Sequence, residues 1–241
     1  MNEERRYRIE AICAVDRLLA RLFRSPLDRE TAAAIAELAA DDGPDFLLED
    51  ERCAQGLAAM GAWCGTASDD DLHAASADFH RLFVGPDKLL APPWSSVYAD
   101  RGSLFSETEQ VVEAEFRRHG LINPEGHHEP CDHIAYELQF VADVLGRAVA
   151  DDGVDAGSAA DAAKLEAGDA AAREAAGDGA GVDAEALVGD AAAFLERFVA
   201  PWSDAFLDDV RAGSRALFYP ALADFTRGAI AVQRELLADE R

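Results

Sequence analysis

The stretch RRYRIEAICAVDRLLARLFR, residues 5–24, decides the fold of this chain. Its large apolar residues recur three or four positions apart, which is the spacing of one face of an α-helix. These residues are Ile9, Ile12, Cys13, Val15, Leu18, Leu19, Leu22 and Phe23. Ser25 and Pro26 end the run, and this pair is typical of the cap and first position of a following helix. The pattern therefore predicts a long amphipathic helix with a second helix, capped by Ser25, directly behind it.

The helical spacing continues along the rest of the chain. Further helical patterns cover residues 45–64, 72–83, 106–120, 134–150, 187–198, 202–210 and 222–237. Ser106 and Glu109 form a predicted capping box, and Pro201 is predicted to separate two helices. Runs that alternate apolar and polar residues, as a sheet requires, are absent from the sequence. We therefore predict an all-α fold, with residues 1–241 forming one compact multi-helix domain.

Residues 151–186 differ from the helical patterns on either side. Asp, Ala, Gly and Glu make up most of this segment, and it contains no aromatic residue. It offers little large apolar surface to bury, so it has little to stabilise a fixed structure. We predict a mobile, disordered acidic insertion within one domain, and we assign it no role.

The chain carries a formal net charge of −25, from 22 basic and 47 acidic side chains. Lys88 and Lys164 are its only lysines. An acidic, lysine-poor surface on a chain with 49% hydrophobic residues indicates a folded, halophile-like protein with a coat suited to high salt. The charge argues against nucleic acid as a partner, because phosphate binding requires clustered cations.

The sequence holds no long apolar segment. Residues 1–15 lack the apolar core of a secretion signal, and no run approaches the roughly 18 apolar residues of a membrane span. The cysteines at positions 13, 53, 64 and 131 show no CxxC spacing, so we expect them to be small buried hydrophobes. These features predict a soluble cytoplasmic protein without membrane insertion.

The stretch DFHRLFVGPDKLLAPPWSSVY, residues 78–98, is the first candidate for a functional site. A helix ends at Leu82 and Phe83, and a proline-rich segment follows that carries Trp94 and Tyr98. Prolines stiffen the backbone, so aromatic side chains on such a segment lose little entropy when they bind a partner. The alternative is that each aromatic residue simply fills a gap between helices, and for either residue alone this second interpretation is favoured.

The stretch HHEPCDH, residues 127–133, allows several interpretations. A metal-dependent hydrolase would use Cys131, His133 and one of the two leading histidines, but neither CxxC nor HExxH spacing occurs, so we assign no metal. A catalytic triad lacks the strand–turn–helix context of a nucleophile elbow. A plain helix start is also consistent, with Asp132 near the positive end of the helix and His133 one turn before Glu137. Lastly, an exposed helix N-terminus would suit a peptide whose arginines precede an apolar stretch, because a carboxylate accepts a guanidinium fork.

Two motifs together, RLFVGPDKLLAPPWSSVY and EPCDHIAYELQFVADVL, resemble the TorD/DmsD-type chaperones, the redox-enzyme maturation proteins. The resemblance covers residues 78–146 closely and the flanking helices loosely. It implies an all-helical cytoplasmic chaperone, not an enzyme. Such a protein binds the twin-arginine leader, and parts of the body, of the apo form of a molybdopterin oxidoreductase, such as a dimethyl sulfoxide, trimethylamine oxide or nitrate reductase. It aids cofactor insertion and delays export until the cofactor is inserted.

The resemblance also implies which residues bind the leader. These are Leu82, Phe83, Pro93, Trp94, Tyr98, Asp132, His133 and Glu137. It implies no catalytic residue, and we assign no cofactor, because the chain has no GxxxxGK[ST] loop for a nucleotide. The family includes monomers and domain-swapped dimers, so a homodimer stays open. A passive scaffold subunit of a respiratory complex is a further alternative.

Overall fold

The computed structural model describes residues 1–41, 43–86, 88–99, 107–121, 129–152 and 183–238. These residues form helices and connecting turns without a strand, which confirms the predicted all-α fold. The first six helices are α1 (Glu3–Arg24), α2 (Arg29–Ala40), α3 (Asp45–Leu48), α4 (Glu51–Thr66), α5 (Asp69–Phe79) and α6 (Ser95–Ala99). The others are α7 (Glu107–Arg118), α8 (Ile134–Asp152), α9 (Ala184–Phe194), α10 (Ala200–Gly213) and α11 (Phe218–Ala238). Wider π-helical turns extend α5 over His80–Val84 and α9 over Leu195–Val199.

The link between α1 and α2 differs from the prediction. Ser25 does not cap α2; its backbone N–H donates to Arg21 O, so it closes α1 instead. The cap of α2 is Asp28, whose carboxylate accepts the backbone N–H of Thr31 at 2.7 Å. Ser25 is therefore the C-cap of α1, and three residues, 26–28, separate it from the first residue of α2.

Pro201 does not interrupt the chain, contrary to the prediction. The backbone stays helical from Ala184 to Gly213, and Pro201 lies in the first turn of α10, directly after the π-helical turn Leu195–Val199. A proline is tolerated there, because the first turn of a helix does not use its backbone N–H groups.

The described helices share one hydrophobic core. Helix α8 packs against both α1 and α9, while α4 packs against both α2 and α11. The C-terminal helices therefore pack on the N-terminal ones. All four cysteines are buried in this core, which confirms the expectation for them. Burial raises the pKa of the Cys13 thiol to about 12, so this thiol is unreactive near neutral pH.

The predicted insertion is shorter than expected at both ends. Residues 151–152 complete α8, and residues 184–186 begin α9, which Asp183 caps. Residues 153–182 lie outside the described residues, so the predictions of a mobile insertion and of one domain over 1–241 stay predictions. None of the helices in the described ranges has the length and apolar character needed to cross a bilayer.

Candidate functional site

The two sequence motifs meet at the N-terminus of α8. The backbone N–H of Ser95 donates to Asp132 O at 2.9 Å, and that of Ile134 donates to Pro93 O at 2.9 Å. These bonds form an isolated antiparallel bridge that sets Trp94 opposite His133. The two rings meet edge to face, with centroids 5.6 Å apart. The proline segment and the head of α8 are therefore one structural unit, which we call the bridge site: residues 93–98 with residues 129–137.

Asp132 is fully buried, so the prediction of an exposed helix N-terminus is wrong for this residue. Its Oδ2 atom accepts the backbone N–H of Ser96 at 2.7 Å and the hydroxyl of Ser95 at 3.3 Å. The carboxylate therefore holds the start of α6 against α8. It is not presented to solvent, where a guanidinium could reach it without a rearrangement.

His133 is also buried, with 5% of its surface exposed. Its Nδ1 atom accepts the backbone N–H of Ala135 at 3.1 Å. Burial, assisted by the positive charge of Arg24, lowers the pKa of His133 to about 3. The imidazole is therefore neutral at physiological pH, and its Nε2 atom, 4.0 Å from a Glu129 oxygen, makes no ion pair there.

Glu137 is fully buried, and its carboxylate bonds to a residue other than His133. Its Oε2 atom accepts the indole N–H of Trp202 at 3.1 Å, which joins α8 to α10. Burial and the nearby Asp132 carboxylate raise the pKa of Glu137 well above its usual value. Trp202 in turn packs against Tyr98, whose hydroxyl donates to Asp209 Oδ2 at 3.0 Å.

Leu82 and Phe83 lie in the π-helical turn after α5, and both are buried. Phe83 packs in a cluster of aromatic rings: Phe23, Phe79, Phe206 and Tyr219. Leu82 O accepts the backbone N–H of Ala91 at 3.1 Å, which fixes the start of the proline segment. Leu82 and Phe83 therefore support the proline segment from inside the protein. A partner could contact them only if that segment moved.

Trp94 and Tyr98 are half-buried, in contrast to the other six predicted site residues, which are all buried. The structure brings Pro93, Trp94, Asp132 and His133 into direct contact. Tyr98 and Glu137 join them through Trp202.

The bridge site concentrates polar atoms that lack a partner. Eight buried side-chain nitrogen or oxygen atoms in the described part of the chain form no hydrogen bond. Four of them belong to this site: Trp94 Nε1, Ser96 Oγ, Asp132 Oδ1 and Glu137 Oε1. Buried polar groups are nearly always hydrogen-bonded, so such a group of exceptions indicates a place where a ligand can supply bonds.

Glu109 on α7 is a site residue that the sequence analysis did not identify. It is half-exposed, and its carboxylate accepts the backbone N–H of Cys131. Burial, followed by the carboxylates of Glu113 and Asp132, raises its pKa above the usual value. The charge of Arg117, which pairs with Glu113, partly opposes this rise. The predicted capping box shows Glu109 only as a cap residue, and its partner Ser106 lies outside the described residues.

The metal interpretation gains no support from the residues in view. Cys131 is buried, and the described ranges contain no group of three or more His, Cys, Asp or Glu side chains arranged to hold a metal ion. His127 and His128 lie outside those ranges.

Known proteins of one family are similar to this chain. The family model described as nitrate reductase delta subunit matches residues 48–208, more than half of the chain. The Tat proofreading chaperone DmsD of Salmonella typhi is 35% identical over 128 residues, 52% of this chain and 60% of the relative. The chaperone protein TorD of Vibrio cholerae (strain M66-2) is 39% identical over 67 residues, 28% of this chain and 30% of the relative.

The matched part of the chain spans only about 60% of the length of the DmsD relatives. The family match includes all eight predicted site residues and Glu109. The curated relatives are named as chaperones, so the family is a class of chaperones and not a class of enzymes. The resemblance predicted from the two motifs is confirmed: the chain belongs to the nitrate reductase delta subunit family, to which the TorD/DmsD-type chaperones are related.

Proposed function

We propose that this protein is a cytoplasmic chaperone that binds the twin-arginine leader of a molybdopterin-dependent oxidoreductase. It holds the precursor until the cofactor is inserted, and so delays export. The observation that carries the proposal is the group of unpartnered polar atoms at the bridge site, where both family motifs meet. The names of the DmsD and TorD relatives support it.

The exposed groups of the bridge site suit the chemistry of a leader peptide. Glu109 is a half-exposed carboxylate whose pKa is raised by burial and then by the nearby carboxylates of Glu113 and Asp132, so a guanidinium would offset part of this repulsion. Trp94 and Tyr98 offer half-exposed aromatic faces, on which an arginine or an apolar side chain can lie. We therefore assign the first contact with arginine to Glu109 rather than to the buried Asp132.

The buried residues have a positioning role in this proposal. Asp132 and His133 fix the proline segment, and Glu137 fixes Trp202 beneath Tyr98. A peptide that supplies donors and acceptors to the unpartnered atoms must displace part of residues 93–96. Binding then includes the cost of opening the bridge, which favours moderate affinity and allows release.

The test is titration calorimetry with a synthetic leader that has two adjacent arginines before an apolar run. We expect Glu109→Gln and Trp94→Ala each to weaken binding about tenfold, equivalent to about 1.4 kcal/mol. Replacing both peptide arginines by lysine removes the bidentate fork, so it should weaken binding to the native protein but have less effect on Glu109→Gln.

Two variants are matched controls. Glu107→Gln changes an exposed carboxylate in the first turn of the same helix, and Trp63→Ala removes a half-buried tryptophan from α4. Both should bind the leader like the native protein. Equal affinities for the native protein, Glu109→Gln and Trp94→Ala would remove the site assignment, and a leader that does not bind the native protein at all would contradict the function.

A further inference from the structure

Large apolar side chains are rarely exposed in the described part of this protein. Four have more than 40% of their surface in solvent: Tyr7 (55%), Val84 (58%), Leu90 (42%) and Leu217 (76%). The last three lie on two segments that contact each other, the loop after α5 and the turn between α10 and α11. We call these three residues the apolar patch.

The two segments that carry the patch are tied together. Arg81 donates to Gly213 O at 2.6 Å. A Cβ atom on Gly213 would come within 3.0 Å of Leu90 Cβ, so the backbones approach as closely as a glycine allows. Asp78 accepts the backbone N–H of Arg215 at 2.8 Å. These contacts hold the two segments of the patch in fixed positions, so the patch would lose little entropy on binding a partner.

Positive charge lies beside the patch. Lys88 and Arg215 are both exposed, and neither forms an ion pair with a carboxylate of the described residues. At the other end of the proline segment, Glu109 lies near the carboxylates of Glu113 and Asp132. Carboxylates therefore lie near the Trp94 end of the proline segment, and Lys88 lies near its Leu90 end.

We propose that the apolar patch takes the apolar run of the leader peptide and that the charges set the direction in which the leader lies. This inference rests on the proposed function. The arginines of the leader are attracted to Glu109 and repelled by Lys88 and Arg215. The uncharged apolar run of the leader is not repelled by these two cations.

The first experiment compares two peptides with identical arginine heads, one followed by leucines and the other by serines. We expect Val84→Ser combined with Leu217→Ser to weaken the leucine peptide about tenfold and to leave the serine peptide unchanged. Tyr7→Ser is the matched control, because Tyr7 is a similarly exposed apolar residue on α1. All three substituted side chains are mostly exposed, so the variants should fold.

The second experiment tests direction with a reversed peptide, in which the leucines precede the arginines. The native protein should bind the forward peptide more tightly, and Lys88→Gln combined with Arg215→Gln should reduce this preference at least threefold. Arg8→Gln with Arg29→Gln is the control for net charge, since it removes two arginines from α1 and the start of α2.

The outcomes separate the two proposals. If the native protein binds the forward peptide but the patch variant binds both peptides like the native protein, the inference is wrong and the proposed function stands. If the forward and reversed peptides bind equally well, the assignment of direction is wrong. If the patch variant instead changes only the oligomeric state in sedimentation, the occupant is a second copy of the chain, which also overturns the inference. Failure of every peptide to bind the native protein contradicts the proposed function itself.

Discussion

Asp78 and Asp16 are both buried aspartates, and they differ in the partners that surround them. Asp78 on α5 pairs with the guanidinium of Arg81 and accepts the backbone N–H groups of Arg215 and Ala216 at 2.8 and 2.9 Å. Asp16 on α1 has one partner, the neutral amide of Gln233 on α11, whose Nε2 atom donates to Oδ1 at 2.7 Å. The first carboxylate has donors for both of its oxygens, and the second has a donor for only one.

The lack of a second donor affects whether the Asp16 carboxyl can hold a negative charge in the core. Burial raises the pKa of Asp16 to about 8, and the Gln233 hydrogen bond and the Arg17 charge only partly oppose this. Asp16 Oδ2 and Gln233 Oε1 both lack a partner, and both are acceptors while the carboxyl is ionised. A proton on Oδ2 turns it into a donor, so the site favours the neutral acid.

Asp78→Ala is expected to have the largest effect on stability. It leaves Arg81 without its carboxylate and two backbone N–H groups without an acceptor, so the free energy of unfolding should fall by about 3–5 kcal/mol. The measurement is chemical denaturation. Asp69→Ala is the control, because it breaks an exposed ion pair with Arg29 and should cost less than about 1 kcal/mol. Equal losses in the two variants would contradict the assigned role of Asp78.

Asp16 is expected to make stability depend on pH. Its pKa is raised on folding, from 3.8 to about 8, so the unfolded chain releases this proton first as the pH rises. The free energy of unfolding therefore falls between about pH 4 and pH 8, by at most about 1.4 kcal/mol per pH unit, and levels off above pH 8. Asp16→Asn removes this contribution. The free energy of unfolding of the variant, relative to that of the native protein, should therefore rise by about 2–3 kcal/mol between pH 6 and pH 8.

Denaturation curves at several pH values measure this difference. The comparison with Asp16→Asn isolates one group, because other titrating residues contribute equally to both proteins. Asp70→Asn, which changes an acidic residue in the first turn of α5, should run parallel to the native protein. A native protein and an Asp16→Asn variant with parallel pH profiles would mean that Asp16 is ionised in the core.

The two aspartates also show what a sequence can and cannot predict. The spacing within residues 5–24 predicts α1 correctly, because helix periodicity is a local property. The same stretch contains Asp16, whose partner Gln233 is 217 residues away, and no local pattern connects the two. Asp132 was expected to be exposed for a similar reason: polar residues are mostly on surfaces, and its partner Ser96 is 36 residues away.

The candidate site was predictable in its location but not in the role of each side chain. Motif resemblance indicates that residues near Trp94 and His133 act together, and the bridge between them is consistent with that. It does not distinguish a residue that contacts a partner from one that supports it, since that depends on burial. Glu109 shows the converse case: Glu113 is a local neighbour on α7, but Asp132, its other acidic neighbour, comes close only because the chain before α8 folds against α7.

Glu137 tests whether a buried carboxyl inside the bridge site is neutral, as Asp16 is expected to be. Burial raises the pKa of Glu137 well above its usual value. If this carboxyl is neutral at pH 7, Glu137→Gln keeps an oxygen for the indole N–H of Trp202 and should change the free energy of unfolding by less than about 1 kcal/mol. Glu137→Ala removes that oxygen and leaves a cavity, so it should cost about 2–3 kcal/mol more. Chemical denaturation at pH 7 measures both variants. A loss of several kcal/mol in Glu137→Gln would mean that the site requires a negative charge at this position, and the buried carboxyl would then resemble Asp78 rather than Asp16.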